Sequence, residues 1–580
     1  MVRLGEALQL IGQSAGERKM NVPLLCGFVP LHLETFVKAY LTLRFPGTDV
    51  SVSTGLYGDL EGSVRRARGS GGDGAIVVIE WSDLDQRLSF RASAGWKIET
   101  LDDVVAQVKE KCQRLEVGLA ELAETMPVVL IAPGLGLPPL THMPAGQASS
   151  LELELDVILA QFLERVCDKD GIRLVSRAAL DLRSPAAGRH DVRMDLSTGF
   201  PYSVAHADAV AELSVSCLFP ALPKKGLITD LDETLWKGIL GDAGVDGVSW
   251  SLAEKSQAYA LYQQTIASLA DSGVLVAIAS KNDKEMVAAA LQRSDILLQS
   301  SQIFPIEVGW GAKSEAVGRI LEAWNIGADS VVFVDDSPLE LAEVEDKHPG
   351  IECLRFPSDD PAAILSLLWQ LRARFGKSEI RDEDRLRLKS LRDSAAVRQE
   401  SAAKLSGDFL ARLNGKITLE AAGEDGRAFE LVNKTNQFNL NGRRYTEVEW
   451  KALAQRTAGF LAIASYEDRF GPLGKIAVLA GHCEKQVCHV DVWVMSCRAF
   501  SRQIEFQIIK QLFHNTGASQ IRFHFQQTPR NGPLQSFLSE FALVTSLTEG
   551  ELCLPVEQFD RLCPPLFHQV NDKWTPLERN

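Results

Sequence analysis

No run of 18 apolar residues occurs in this chain of 580, so nothing in it reads as a membrane-spanning helix. Residues 1–20 hold no apolar core of the signal-peptide kind, which gives the expectation of a cytoplasmic protein. A cysteine framework is missing too: the ten cysteines are scattered, mostly within apolar runs, and read as reduced thiols. Positive charge is in deficit. A net charge of −15 argues against nucleic acid or an anionic membrane as the main partner. There is no internal repeat and no low-complexity tract. What is present, 46% apolar and 24% charged residues, is the composition of a globular chain too long for one core, hence of several domains.

Short apolar runs alternate with helical patterns through residues 1–220. Val22–Val29, Asp49–Gly55, Gly74–Trp81, Pro127–Gly134 and Gly171–Ser176 read as strands, and Leu31–Phe45, Leu101–Thr125 and Leu151–Asp168 as helices. That alternation predicts an α/β layer fold with a parallel sheet. A second unit, 221–376, has strands at Lys225–Leu231, Val274–Ser280, Gln302–Phe304 and Ser330–Asp336. The charged stretch Lys377–Lys404 reads as a solvated helical connector over 377–406. The last unit, 407–580, carries strands at Gly459–Asp468, Gly474–Cys483, His489–Cys497 and Gln520–Gln527, with a helix over Arg502–Phe513. Successive strands followed by a helix predict an α+β domain with a largely antiparallel sheet.

Two carboxylates, Asp230 and Asp232, stand one residue apart where an apolar strand ends, in GLITDLDETLWKGILGD. At 4 Å such charges repel by about 4 kcal/mol at an effective dielectric of 20, so a cation or a reaction is expected to justify them. Alternate strand residues share a face, and ligands bind at the carboxyl edge of open α/β sheets. Three more signals follow in order: Ser280 ends the next strand, Lys313 opens a helix in GWGAKSEAV, and SVVFVDDSP ends on Asp335 and Asp336.

This order resembles the haloacid dehalogenase superfamily of phosphatases. The resemblance implies that Asp230 is the nucleophile and that Asp232 exchanges protons with the leaving oxygen and the attacking water. It implies a Mg²⁺ site formed by Asp230, the backbone carbonyl of Asp232, Asp335 and Asp336, and phosphate binding by Thr234, Ser280, Lys281, Asn282 and Lys313. DDSPLE stands where DDNP is more usual, with both acids intact. Neither the stretch before Ser280 nor that before Asp335 has room for a cap domain.

DLDETLWKGILGD, with KTNQFNLNGRRYT (Lys434–Thr446), VMSCR (Val494–Arg498) and IEWSDLDQRLSFR (Ile79–Arg91), resembles the FkbH-like family of polyketide assembly. Its members take a glyceryl unit from 1,3-bisphosphoglycerate, remove its phosphate and deliver glyceryl to an acyl carrier protein thiol, for extender units such as methoxymalonyl. The same resemblance implies a central Rossmann-like phosphatase core, an N-terminal SGNH-hydrolase-like α/β domain and a C-terminal GNAT-like α+β acyltransferase domain. Two departures are visible. RAFSRQIE after VMSC offers no glycine for backbone approach to a CoA pyrophosphate. The N-terminal unit has LLCGF in place of a GDS nucleophile and reads as noncatalytic; His206 reads as a solvated loop histidine, with a remnant of a hydrolase histidine as the alternative.

The family's cysteine-bound intermediate points first to Cys497, at a strand end beside Arg498 and before a helix, and second to Cys26. Asn436, Gln437 and Asn439 offer hydrogen bonds to a pantetheine arm, and Arg443, Arg444 and Arg498 to an acidic carrier; a hydrogen-bonded turn is the plainer reading of that loop. HCEKQVCH, His482–His489, reads as a β-turn, because adjacent His-Cys pairs point to opposite faces. The alternatives to glyceryl transfer are a phosphatase fused to an acyltransferase acting on a small molecule, and a noncatalytic carrier-docking protein.

Overall fold

The computed structural model describes residues 2–12, 16, 18–93, 96–144, 146–377, 380, 384, 388, 391–392, 407–423, 425–455, 459–469, 471–496, 499–500, 502–541 and 549–574. The chain divides into two compact units: Met1–Ala221 with Thr446–Glu449, and the remainder. Most of the expected connector over 377–406 lies outside the described residues. Among the described residues no helix is long and apolar enough to cross a membrane.

The first unit is built on an all-parallel sheet of β1 (Arg18–Leu25), β2 (Thr48–Thr54), β3 (Ala75–Val78), β4 (Val128–Ile131) and β5 (Ile172–Leu174), in the order β2-β1-β3-β4-β5. Every residue of β3 and β4 is buried, as unbroken apolar runs require in a sheet covered on both faces. Helices Leu31–Arg44, Leu101–Ala123 and Ser150–Cys167 fall within two residues of their expected bounds. The last begins on a capping box, in which Ser149 Oγ accepts from Glu152 N and Glu152 Oε2 from Ser149 N. His206 corrects its sequence reading: it lies wholly buried on the helix Val204–Leu218, not in a solvated loop. Ser184 Oγ meets its Nδ1 at 2.9 Å. Burial, then Arg189 and Arg177, pulls its pKa down to about 3, so the ring is neutral.

The second unit holds two sheets. The first comprises β6 (Gly226–Thr229), β7 (Leu275–Ser280), β8 (Ile303–Val308), β9 (Val331–Asp335) and β10 (Glu352–Arg355), all parallel, in the order β10-β9-β6-β7-β8. The chain runs outward in one direction through β7 and β8, then returns to start β9 on the other side of β6. Ligands bind at the carboxyl ends of strands where the order reverses in this way. Helix Gln257–Asp271 leads directly into β7, and helix Lys313–Trp324 with a short turn leads into β9, leaving no cap domain at either point.

The second sheet joins β11 (Lys416–Ala421), β12 (Gly459–Asp468), β13 (Gly471–Glu484), β14 (Val487–Met495), β15 (Gln520–Gln526), β16 (Glu549–Pro555) and β17 (Gln569–Asp572), in the order β16-β15-β14-β13-β12-β11-β17. Pairing is antiparallel except for β14 with β15 and β11 with β17. One face packs Trp493, Phe506, Phe523 and Phe537 into an aromatic core; the other holds Leu461, Val478, Val492 and Val494. His482–His489 is the β13–β14 hairpin, with Lys485 at φ 55° in its turn. Cys483 and Cys488, opposite each other in register, are disulfide-bonded. That corrects the expectation of thiols alone: the hairpin brings their Cα atoms to 4.2 Å, which sequence spacing does not reveal. Contacts between the two sheet layers include Lys225 Nζ donating to Lys434 O at 2.9 Å and an Arg530–Asp329 ion pair at 2.5 Å.

Glu505, near the start of helix Ile504–Thr516, turns its carboxyl end inward, and its buried Oε2 meets no hydrogen-bond partner. Burial and then Glu540 push its pKa up from 4.5 to about 7. Between those values the folded chain holds a proton that the unfolded chain has lost, so stability falls as pH rises from 4.5 through 7. Urea denaturation of Glu505→Gln is expected to lack that decline and to show a gain of roughly 2 kcal/mol above pH 7, after discounting for solvent screening.

Candidate functional site

Asp230 directly follows β6 and Asp335 ends the adjacent β9, so the reversal of strand order itself sets them side by side. Both are buried, Asp335 completely. Lys313, the first residue of its helix, reaches between them: its Nζ lies 3.0 Å from Asp230 Oδ2 and 2.6 Å from Asp335 Oδ2. Ser337 N donates to the other Asp335 oxygen at 2.9 Å. Asp336 joins this group, and ligand oxygens of Asp230, Asp335 and Asp336 all lie within 4.8 Å of one another.

The electrostatics follow from burial. Loss of water raises the pKa of Asp230, with Lys313 opposing and Asp335 adding to the rise. Asp335 and Asp336 are also raised, each first by burial. Burial alone would lower Lys313, yet the attraction of Asp230 and Asp335 leaves it above its ordinary value. One ammonium thus faces three carboxyl groups, a set short of positive charge. Asp230 Oδ1 is buried without a hydrogen-bond partner, an open lone-pair position. Three carboxylates and such a free oxygen suit a hard divalent cation, which takes oxygen ligands.

The residues after Asp230 form a compact flap that fixes Asp232. Its Oδ1 accepts from Trp236 Nε1 at 2.9 Å and from Leu240 N at 3.1 Å, and its Oδ2 from Asn282 Nδ2 at 2.9 Å. Glu233, at φ 50°, accepts from Gly238 N and from the Tyr259 hydroxyl. Gly238 sits at φ 102°, which favours glycine. The fully buried Trp236 packs beside Trp250, ring centroids 6.5 Å apart. Trp236, Glu233 and Tyr259 are positioning residues that sequence reading did not assign; the motif containing the first two was visible, but not which of its side chains hold Asp232.

Ser280 ends β7, and its Oγ lies 3.3 Å from Asn282 Nδ2, so Ser280, Asn282 and Asp232 form one chain of contacts. Thr234 Oγ1 is buried without a partner. Lys281, just past the end of β7, pairs its Nζ with Glu340 at 2.6 Å.

The KTNQF loop is spent largely on itself. Phe438–Leu440 enters the gap where β14 and β15 part: Leu440 N donates to Trp493 O, Met495 N to Phe438 O and Gln526 N to Leu440 O. Asn439 bonds Thr435 O and accepts from Asn441 N and Gly442 N. Arg444 donates to Val432 O, Thr435 O and Asn436 Oδ1. Arg443 lies over the Tyr445 ring at 4.7 Å. For Asn436, Asn439 and Arg444 the hydrogen-bonded turn describes the side chains better than a ligand surface does. Gln437 differs, since its Oε1 is buried without a partner. Cys497 and Arg498 lie outside the described residues. Cys26 is buried with Sγ 3.2 Å from Phe28 O, and burial, then Asp83, raises its thiol pKa far above the ordinary range, the reverse of an activated nucleophile.

No protein-family model matches the chain, and no curated protein matches it. Among solved structures it is similar to the N-terminal, phosphatase-containing part of protein BF1531 from Bacteroides fragilis, solved with Mg. That match has 20% identity and a TM-score of 0.53, and covers 65% of this chain and 100% of the other. Weaker matches are an uncharacterised protein from Corynebacterium glutamicum (17% identity, TM-score 0.20, covering 27% of this chain and 98% of the other) and a mutant HAD-family enzyme from Bacteroides thetaiotaomicron solved with magnesium and inorganic phosphate (11%, 0.17, 24% and 96%). At this identity the first likeness is one of fold alone: the chain shares the fold of that phosphatase-containing part of BF1531.

Lys313→Met leaves the buried acids without their counter-ion. Its unfolding free energy in divalent-free buffer is expected to drop by about 3–5 kcal/mol, measured by urea denaturation, and saturating Mg²⁺ is expected to restore part of the loss.

Proposed function

We propose that the chain is a Mg²⁺-dependent glyceryltransferase–phosphatase, acting on 1,3-bisphosphoglycerate and loading the phosphopantetheine thiol of an acyl carrier protein. The product is a glyceryl thioester for polyketide extender units such as methoxymalonyl. The observation that carries the phosphatase half is the Lys313 bridge between Asp230 and Asp335, with Asp230 Oδ1 left open at the point where strand order reverses. The long motifs DLDETLWKGILGD, KTNQFNLNGRRYT and VMSCR support the transferase half.

In the phosphatase step Asp230 attacks phosphorus, the P–O ester bond breaks, and Asp232 gives its proton to the departing oxygen. Water then attacks the phosphoaspartate and yields a proton to Asp232, which releases phosphate and restores both acids. The flap hydrogen bonds hold Asp232 in one orientation for both transfers. Lys313 offsets charge on the transferring group, and Ser280, Thr234 and Asn282 are the hydroxyl and amide groups available to its oxygens. Asp230, Asp335 and Asp336 would hold Mg²⁺, which supplies further neutralisation of phosphoryl charge. In the transfer step a thiolate, assigned to Cys497, attacks the acyl carbon, inorganic phosphate leaves, and the carrier thiol displaces the cysteine.

A cavity of about 100 Å³ lined by Lys225, Asn325, Arg427, Gln437, Met495 and Ser496 supports an amide-bearing ligand beside that cysteine in sequence. Arg427 Nε and Gln437 Oε1 are a buried donor and a buried acceptor without partners, matching the needs of a pantetheine amide. One observation favours a plain phosphatase instead: Asn436, Asn439 and Arg444, the groups expected to meet a pantetheine arm and its carrier, are engaged within their own loop.

Incubation with 1,3-bisphosphoglycerate, Mg²⁺ and a phosphopantetheinylated carrier separates the readings when the intact carrier is weighed. A glyceryl mass gain is expected; phosphate release without it leaves the phosphatase alone, and neither result leaves a docking protein. Asp230→Asn is expected to abolish dephosphorylation while still loading phosphoglyceryl. Cys497→Ala is expected to remove the covalent enzyme adduct seen by mass spectrometry, and an adduct that survives moves the thiol elsewhere.

A further inference from the structure

The seven-stranded sheet carries a polar cluster that the phosphatase and transferase readings leave unused. Along β15 the residues Ile521, Phe523 and Phe525 face the aromatic core, as Leu552 and Leu554 do on β16 and Cys488 and Val490 on β14. Alternation therefore turns His489, His524 and Glu551 to the opposite face. Register completes the grouping: His524 stands opposite Glu551, and His489 opposite Arg522, one alternation away from His524. One ligand atom from each of His489, His524 and Glu551 lies within 4.8 Å of the others.

The surroundings orient these groups. His524 Nδ1 lies 2.5 Å from Asp491 Oδ1, so Nδ1 carries the proton and donates it to the carboxylate. On the other side of the ring Nε2 lies 3.3 Å from Glu551 Oε1, so in the neutral ring the nitrogen that faces the cluster is the one with a lone pair to offer a metal. A carboxylate holding the far nitrogen of a histidine is the usual support for a metal-ligating imidazole. The His482 ring stacks on His489 at 4.8 Å and 8°, fixing that ring's plane, and its Nδ1 is buried without a hydrogen-bond partner. Arg522 Nη1, 3.5 Å from Glu551 Oε2, occupies the other carboxylate oxygen.

We infer that His489, His524 and Glu551 bind a zinc-class transition-metal cation, with Asp491 as the positioning carboxylate behind His524. Two imidazoles and one carboxylate are a ligand set that zinc accepts, and a fourth position remains for water. The location gives the ion a structural task. β14 and β15 pair only over Val487–Val490 before Phe438–Leu440 separates them. At this fork Asn441 Nδ2 already spans the carbonyls of Asp491 and His524. An ion on the side chains above it would tie β14, β15 and β16 together where the ladder opens. The site is chemically distinct from the all-oxygen cluster of Asp230, Asp335 and Asp336.

The test uses the full chain under non-reducing conditions with Mg²⁺ in excess, zinc as the probe, calorimetry for affinity and elemental analysis after desalting for stoichiometry. One zinc per chain is expected, with a rise in Tm. Glu551→Gln, an exposed change that leaves the core untouched, and His524→Gln are each expected to weaken zinc binding by at least about tenfold, and Asp491→Asn by about 10–100-fold. Asp335→Asn is expected to leave zinc affinity unchanged while losing its response to Mg²⁺. Absence of retained zinc, binding indifferent to both Glu551→Gln and His524→Gln, or zinc lost only in Asp335→Asn would each overturn the assignment. None of these outcomes depends on turnover, so failure of the phosphatase reading is separately visible.

Discussion

A single buried ammonium set between the ends of two adjacent strands is the constraint on which the catalytic core turns. Lys313 touches both Asp230 and Asp335, and Asp336 crowds the same space. Carboxyl groups removed from water repel one another and resist ionisation. Without the lysine their assembly would be unfavourable at neutral pH. With it the set still has more negative than positive charge, which suits it to a divalent cation. The helix that begins at Lys313 and the strands that end at Asp230 and Asp335 are therefore fixed relative to one another by the same charges that would carry out the chemistry.

The flap expresses the same logic at shorter range. Trp236, Leu240 and Asn282 each donate to Asp232, and Glu233 with Gly238 shapes the turn that brings them there. A carboxylate held from three directions keeps one orientation. The sheet layer that follows in the chain is part of the same compact unit.

Much of the core was legible in advance because its signals are local. An apolar run that ends in D-x-D or D-D places acids at a sheet edge whatever the rest of the chain does, and β6, β7 and β9 end on or just before Asp230, Ser280 and Asp335. The limit of that reasoning is contact: Lys281 is adjacent to Ser280 in sequence, yet the pairing of its Nζ with Glu340 is not visible there. His206 was misread for a related reason: one histidine among small residues looks like a loop until a helix buries it. β10, β11, β16 and β17 have no counterpart in the sequence reading, since short strands without strong alternation gain their identity only from a neighbour.

The sequence by itself determined the longer strands and the long helices of the first unit, which acids stand at strand ends, and that Lys313 opens a helix, because periodicity and capping act over a few residues. Only the tertiary structure decided that Lys313 spans two acids, that Phe438–Leu440 fills the fork between β14 and β15, that Cys483 meets Cys488, and that His489, His524 and Glu551 share one patch. Alternation assigns a side chain to a face, but its neighbours on that face depend on strand order and register. Those are set by packing between segments far apart in the chain.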